Sequence, residues 1–209
     1  EFDHFEATRE GYESALGDFV SRAGIDGMSA LAEMSKGIPG SHASTLAIVG
    51  ATLIDGTGAS PVPDSAVVIE NGRITAAGPR SSVKIPRGAQ TIDAQGKTIL
   101  PGLWDMHAHF EQVEWGPIYL AAGVTTVRDC GNEFEFITSV RDAIAQGRGL
   151  GPRLLLAGFV DGSGPMAIGM ARADTPEQAR QWTDRYHDAG FQQMKIYSLV
   201  TPPIVEAIC

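Results

Sequence analysis

Apolar positions along the chain change their spacing twice, which divides it into three stretches. Across residues 1–42, Phe5, Tyr12, Leu16, Phe19 and Val20 recur at separations that fit one helix face, with Glu and Arg between them. A second short helix is expected after Ile25-Asp26, where Asp26 can cap it and Met28, Leu31 and Met34 supply its apolar side. Gly37 and Pro39-Gly40 end it. No chemistry is visible in this stretch, which reads as a helical arm that packs on the remainder.

Residues 43–100 change to short strands. Ala47–Val49 and Thr52–Ile54 precede the turn cluster Asp55-Gly56-Thr57-Gly58. Ala66–Glu70 runs into Asn71-Gly72, the strongest short hairpin signal, and Arg73–Ala77 returns. Gln90–Asp93 and Thr98–Leu100 add strand, so the stretch predicts a small antiparallel β domain of the β-sandwich kind. From residue 101 to 209 the spacing changes again: strand-like runs at 102–109, 124–129, 153–159 and 193–197 alternate with helical ones at 134–146 and 175–189. Proline at the first helical position, in Thr175-Pro176-Glu177, opens the latter. Strands alternating with helices at this spacing predict an α/β fold with a parallel sheet. Four such units fit the first half of a (β/α)8 barrel, which in full takes about 250 residues, so the barrel is expected to be unfinished at Cys209.

Composition narrows the function classes. A net charge of −9, with both signs interspersed, offers no footprint for nucleic acid or an anionic membrane. No apolar run is long enough for a membrane helix, and the N-terminus lacks the pattern of a signal peptide. Cytoplasmic and processed secreted locations both stay open. Cys130 and Cys209 form neither a disulfide framework nor a cysteine metal site.

Chemistry concentrates in Leu103-Trp104-Asp105-Met106-His107-Ala108-His109-Phe110. On a regular strand residues two apart point the same way, so Asp105, His107 and His109 are expected on one face near its C-terminal end. Two imidazoles placed so can reach one divalent cation, and Asp105 is placed to orient one of them by hydrogen bonding or to bond backbone. Taken alone, the pair fits equally well with two histidines sharing a surface strand. Lys195 alone reads as a strand-end lysine with its head in solvent. Arg128 and Asp129 end the next strand, as a mutual ion pair, a loop brace or, for Arg128, a substrate contact. Tyr197 shares the parity of Lys195 and either lines the same pocket or covers a core. Asp161-Gly162-Ser163-Gly164 reads as a flexible loop or a turn, and His4, His42 and His187 lie away from the rest.

The run "GKTILPGLWDMHAHF" resembles the first barrel strand of the metal-dependent amidohydrolase superfamily. The earlier "LIDGTG", then "GVTTVRDCGN" and "GFQQMKIYS", resemble its small β domain, second strand and fourth strand, in the right order. The likeness runs from about Leu46 to Cys209 and leaves residues 1–42 outside. The branch it is most similar to contains imidazolonepropionase and Xaa-Pro dipeptidases. That resemblance implies a fourth-strand lysine, here Lys195, carboxylated on its amine so that the carbamate bridges two divalent metals, zinc first among them. It implies His107 and His109 as ligands, and the remaining ligands beyond Cys209. The activity implied is hydrolysis of a C–N amide bond in a dipeptide or cyclic amide by a metal-activated hydroxide. Alternatives are a mononuclear deaminase that leaves Lys195 unmodified, and a non-catalytic scaffold. The expected partners are a small-molecule or peptide substrate, a C-terminal half of the barrel from the same polypeptide or a second chain, and further copies in a homo-oligomer.

Overall fold

The computed structural model describes residues 8–38, 43–169 and 171–209. Phe5, His4, the Pro39-Gly40 stop and His42 lie outside the described residues. Two compact units are present, Glu1–Glu33 with Leu103–Cys209, and Met34–Gly102.

One continuous helix, α1 (Leu16–Ser35), follows a short 3-10 turn at Glu13–Ala15 and replaces the two helices expected from the sequence. Asp26 is not a cap; it pairs with Arg22 one turn earlier at 2.9 Å. Gly24 and Gly27 sit inside this helix, where glycine costs about 1 kcal/mol relative to alanine. Their lack of side chains is used instead for close packing. A Cβ on Gly24 would stand 2.6 Å from Ser139 Oγ, and one on Gly27 2.8 Å from Val113. Val20 and Met28 lie on that side and are buried with Phe136, Ile137 and Val140, whereas Tyr12 and Phe19 face outward.

The second unit is one sheet in the order β3-β2-β1-β4, with β5 also beside β1. Its strands are β1 (Thr45–Leu53), β2 (Val62–Glu70), β3 (Arg73–Pro79), β4 (Gln90–Asp93) and β5 (Thr98–Ile99). Asn71 and Gly72 both take positive φ, 50° and 75°, as the tight β2–β3 turn requires. Ala47, Val49, Ala66 and Val68 form its core. Against the expectation of an antiparallel unit, β4 and β5 run parallel to β1, because the chain crosses back after β3 before pairing again. Among the described residues the unit forms a single sheet.

In the other unit, β6 (Leu103–Ala108), α2 (Trp115–Ala121), β7 (Val124–Asp129), α3 (Phe134–Ala145), β8 (Arg153–Asp161), β9 (Ala171–Arg172), α4 (Pro176–Asp188), β10 (Gln193–Ile196) and α5 (Pro202–Ile208) follow in order. The sheet runs β10-β8-β7-β6, all parallel, with β9 beside β8. Thr175 caps α4 through a reciprocal capping box with Gln178. Ala108, Phe110, Val127, Leu154 and Leu156 face the helices and share a core with Ile137, Val140 and Ala143. Parallel pairing brings every strand's C-terminal end to one edge of the sheet.

Candidate metal centre

Register decides which side chains share a face. Asp105 is level with Val127, and Ala108 with Asp129, so three residues of β6 span two of β7. This bulge interrupts the alternation that would have placed Asp105 beside the histidines. Asp105 lies instead on the helix-side face of Val127. The Asp105 carboxylate accepts a hydrogen bond from the His107 main-chain N–H at 3.0 Å, not from an imidazole. Tyr119 on α2 registers the same placement: burial first, then the charges of Asp105 and Asp129, push its phenol above its ordinary range.

Alternation resumes at His107, so His107 and His109 project opposite to Ala108 and Phe110. Leu154 and Leu156 pair with Val127 and Asp129 on the helix side, which puts Leu155, Ala157 and Phe159 on the other. Gln193 is level with Ala157, and Lys195 with Phe159. His107, His109, Arg128, Gln193 and Lys195 therefore share one face, near the C-terminal edge. Arg128 spans it: its guanidinium donates to Met106 O at 2.6 Å and to Gln193 Oε1 at 3.2 Å, reaching across β8. Its bonds go there and not to Asp129, so the mutual ion pair does not form.

The two imidazoles have centroids 5.7 Å apart and planes tilted by 51°. A divalent ion about 2.1 Å from one nitrogen of each ring is compatible with that separation. His109 Nδ1 lies 2.7 Å from Gly131 O. A carbonyl only accepts, so Nδ1 is the donor, and in the neutral ring Nε2 then keeps the lone pair that a metal ligand needs. Lys195 stands at the opposite edge of the sheet, with β7 and β8 between, so the three residues form a shared face and not a closed cluster. Its Nζ lies 5.1 Å from the Phe159 ring centroid and 5.2 Å from that of Tyr197, without an ion pair among the described residues. Tyr197 meets Phe159 edge-on at 5.1 Å and thus covers one flank of the amine.

Three acidic residues around this edge act as supports. Asp129 is fully buried and accepts from the N–H groups of Phe110 and Gly131 and from the Asn132 amide. Asp161, also fully buried, accepts from the main-chain N–H groups of Gly162, Ile168, Gly169 and Leu199. Burial alone would raise its pKa, but these bonds outweigh it and hold the carboxyl below the usual range. The segment after β8 is thereby pinned, and Ser163 is tied further to Asp174 at 2.8 Å, which fits the turn of the two readings left open for Asp161-Gly162-Ser163-Gly164. Glu133 caps α3 through bonds from the N–H groups of Glu135 and Phe136.

Burial, followed by the neighbouring Glu135 carboxyl, pushes Glu133 up from 4.5 to about 7. Glu135 moves down, chiefly through its bond with Glu133, with further help from Arg185, whose guanidinium sits 4.1 Å over Phe134. A raised folded-state pKa favours the protonated group, so this contribution to stability is complete below pH 4.5 and is lost as pH rises through about 7. Glu133→Gln is expected to flatten that decline, whose slope for one proton is at most about 1.4 kcal/mol per pH unit. Urea midpoints across that interval check it, and an unchanged slope rules out Glu133 as the source.

No protein-family model matches the chain. It is 42% identical over 65 residues to a 5-methylthioadenosine/S-adenosylhomocysteine deaminase of Symbiobacterium thermophilum, covering 31% of this chain and 15% of that one. It is 45% identical over 53 residues to an imidazolonepropionase of Rhizobium rhizogenes, covering 25% and 13%. A Bifidobacterium longum protein described as a prolidase superposes with a TM-score of 0.70 at 25% identity, over 80% of this chain and 46% of that chain. A molinate hydrolase superposes with a TM-score of 0.66 at 28% identity, over 79% and 50%. The chain thus spans about half the length of these solved structures and a smaller share of the curated relatives.

Proposed function

We propose that this chain, a member of the amidohydrolase superfamily, supplies the first part of a metal-dependent hydrolase acting on the C–N bond of an amide. The observation that carries the reading is the His107–His109 pair on the C-terminal edge of a parallel sheet, with the His109 ring fixed by Gly131 O and its Nε2 free. In this reading His107, His109 and Lys195, the last as its carbamate, would be the residues of this chain that hold divalent metal, zinc being the first choice. A free ammonium has no lone pair to give, whereas a carbamate presents two anionic oxygens.

Divalent ions bound there supply Lewis acidity toward a carbonyl and lower the pKa of water. The chain's own residues do the positioning. Gly131 O keeps the His109 proton on Nδ1, Arg128 ties β6 to β10 across the same face, and Phe159 and Tyr197 shield the lysine amine. Tyr197 then borders the substrate, which is a dipeptide or cyclic amide. Strands beyond Cys209, in the same polypeptide or a second chain, complete the barrel and the ligand set. They cover the free edges of β6 and β10, where Leu103, Trp104 and Met106 are exposed. The small sheet then gains its second layer.

A second reading is a deaminase with one metal and an unmodified Lys195. The deaminase relative and the position of Nζ over two rings, where an ammonium is at home, favour it. Native mass and metal content of the full-length protein separate the two. Two metals per chain with the added mass of one carbon dioxide are expected for the hydrolase. One metal and no added mass selects the deaminase, and a chain that binds no divalent metal at all overturns both.

Among the described residues no helix is long and apolar enough to cross a membrane.

A further inference from the structure

We propose that Asp129 is a positioning residue for His109, acting at both its backbone and its ring. The carboxylate lies at the end of β7 on the helix side, 1% exposed, and never reaches the face that carries the imidazoles. Its Oδ2 accepts from the Phe110 N–H at 2.6 Å, which anchors the residue next to His109. Its Oδ1 accepts from the Gly131 N–H at 3.0 Å, which anchors the residue whose carbonyl takes the His109 Nδ1 proton. Asn132 joins the two sides, donating to Asp129 Oδ2 at 3.1 Å and to Phe110 O at 2.8 Å. The Cys130 N–H, bonded to Ala108 O at 2.8 Å, closes the same seam.

The loop has little freedom to find another arrangement. Gly131 has φ 134°, and a Cβ there would stand 2.8 Å from Phe159. One buried carboxylate therefore sets both where the His109 backbone lies and where the carbonyl opposite its ring points. Loss of either leaves the imidazole free to rotate or to move its proton to Nε2, which blocks the nitrogen that would bind metal. This inference rests on the reading of His109 as a ligand, but the state of the ring can be measured without metal.

The test uses the full-length protein. With metal stripped by a chelator and the ring neutral, imidazole nitrogen chemical shifts show which nitrogen of His109 holds the proton. The wild type is expected to hold it on Nδ1. Asp129→Asn turns an NH2 toward one of the N–H groups the carboxylate now receives, and is expected to shift the proton toward Nε2. Its zinc affinity, from competition with a chromophoric chelator, is expected to fall about 10–100-fold, as for other partners that orient metal ligands. Asp161→Asn is the comparison: a carboxylate equally buried and bonded, with no contact to His109, whose loss is expected to cost stability and leave the tautomer alone.

A wild-type His109 protonated on Nε2 overturns the proposal without any variant, as does an unmoved tautomer in Asp129→Asn or an equal shift in Asp161→Asn. If Asp129→Asn does not fold, Asn132→Ala removes one donor of the same seam and is expected to shift the tautomer in the same direction; no shift there also overturns it. A tautomer that responds to Asp129 in a protein that binds no zinc upholds the positioning and overturns only the metal reading.

Discussion

Exchanging His107 and His109 together for asparagine in the full-length protein is expected to abolish binding of at least one metal per chain and to cut amide hydrolysis at least about 10^3-fold. The magnitude follows from the share that a metal takes in such a reaction. Polarising a carbonyl contributes several kcal/mol, and each 1.36 kcal/mol is a factor of about ten in rate. Stability should change little by comparison. The His107 side chain is exposed, and His109 gives up one hydrogen bond, a net loss of about 1 kcal/mol. Elemental analysis, kcat/KM on whichever dipeptide or cyclic amide the wild type cleaves, and a urea midpoint check the three parts. Full activity in a metal-free double variant would sink the reading outright.

Lys195→Met is expected to have the next largest effect. Methionine keeps the apolar stem against Phe159 and Tyr197 but cannot take up carbon dioxide. For the hydrolase, the variant should hold one metal fewer, lose the extra native mass and fall in kcat/KM by about 10^2-fold or more, roughly 3 kcal/mol. For the one-metal deaminase, metal content and native mass should be those of the wild type. The pair of measurements thus reads the modification separately from the rate, and a variant with unchanged activity would remove Lys195 from the chemistry altogether.

The elements were legible where local physics decides them. Asn71-Gly72 demands two positive φ values, and Thr175-Pro176 followed by Gln178 can close a capping box, so the hairpin and α4 follow from their own residues. That His107 and His109 share a face was legible because two residues in alternation project together. Asp105 was not, since the bulge that turns it to the other face depends on how β6 pairs with β7. The two-helix reading of the N-terminus failed for a related reason. Asp26 could cap a second helix or pair one turn back with Arg22, and the face that packs at Gly24 against Phe136, Ser139 and Val140, remote in sequence, keeps the helix continuous. Asp129 and Asp161 look like ordinary strand-end acids; only the closed loops around them show how many N–H groups each must satisfy.

The docking of α1 also bears on the order in which the molecule is made. During synthesis this helix leaves the ribosome before its partners, because Phe136, Ser139 and Val140 emerge only after the whole of the small sheet and then β6 and β7. The small sheet pairs neighbours in sequence for most of its strands and can close early, while α1 waits with Val20 and Met28 uncovered. Closing so long a loop costs only a logarithmic increment of entropy, so the delay weighs on kinetics and not on final stability. The waiting interval is when this part of the nascent chain is most exposed to misassociation, and a chaperone that reads apolar helix faces would meet α1 before its partner elements.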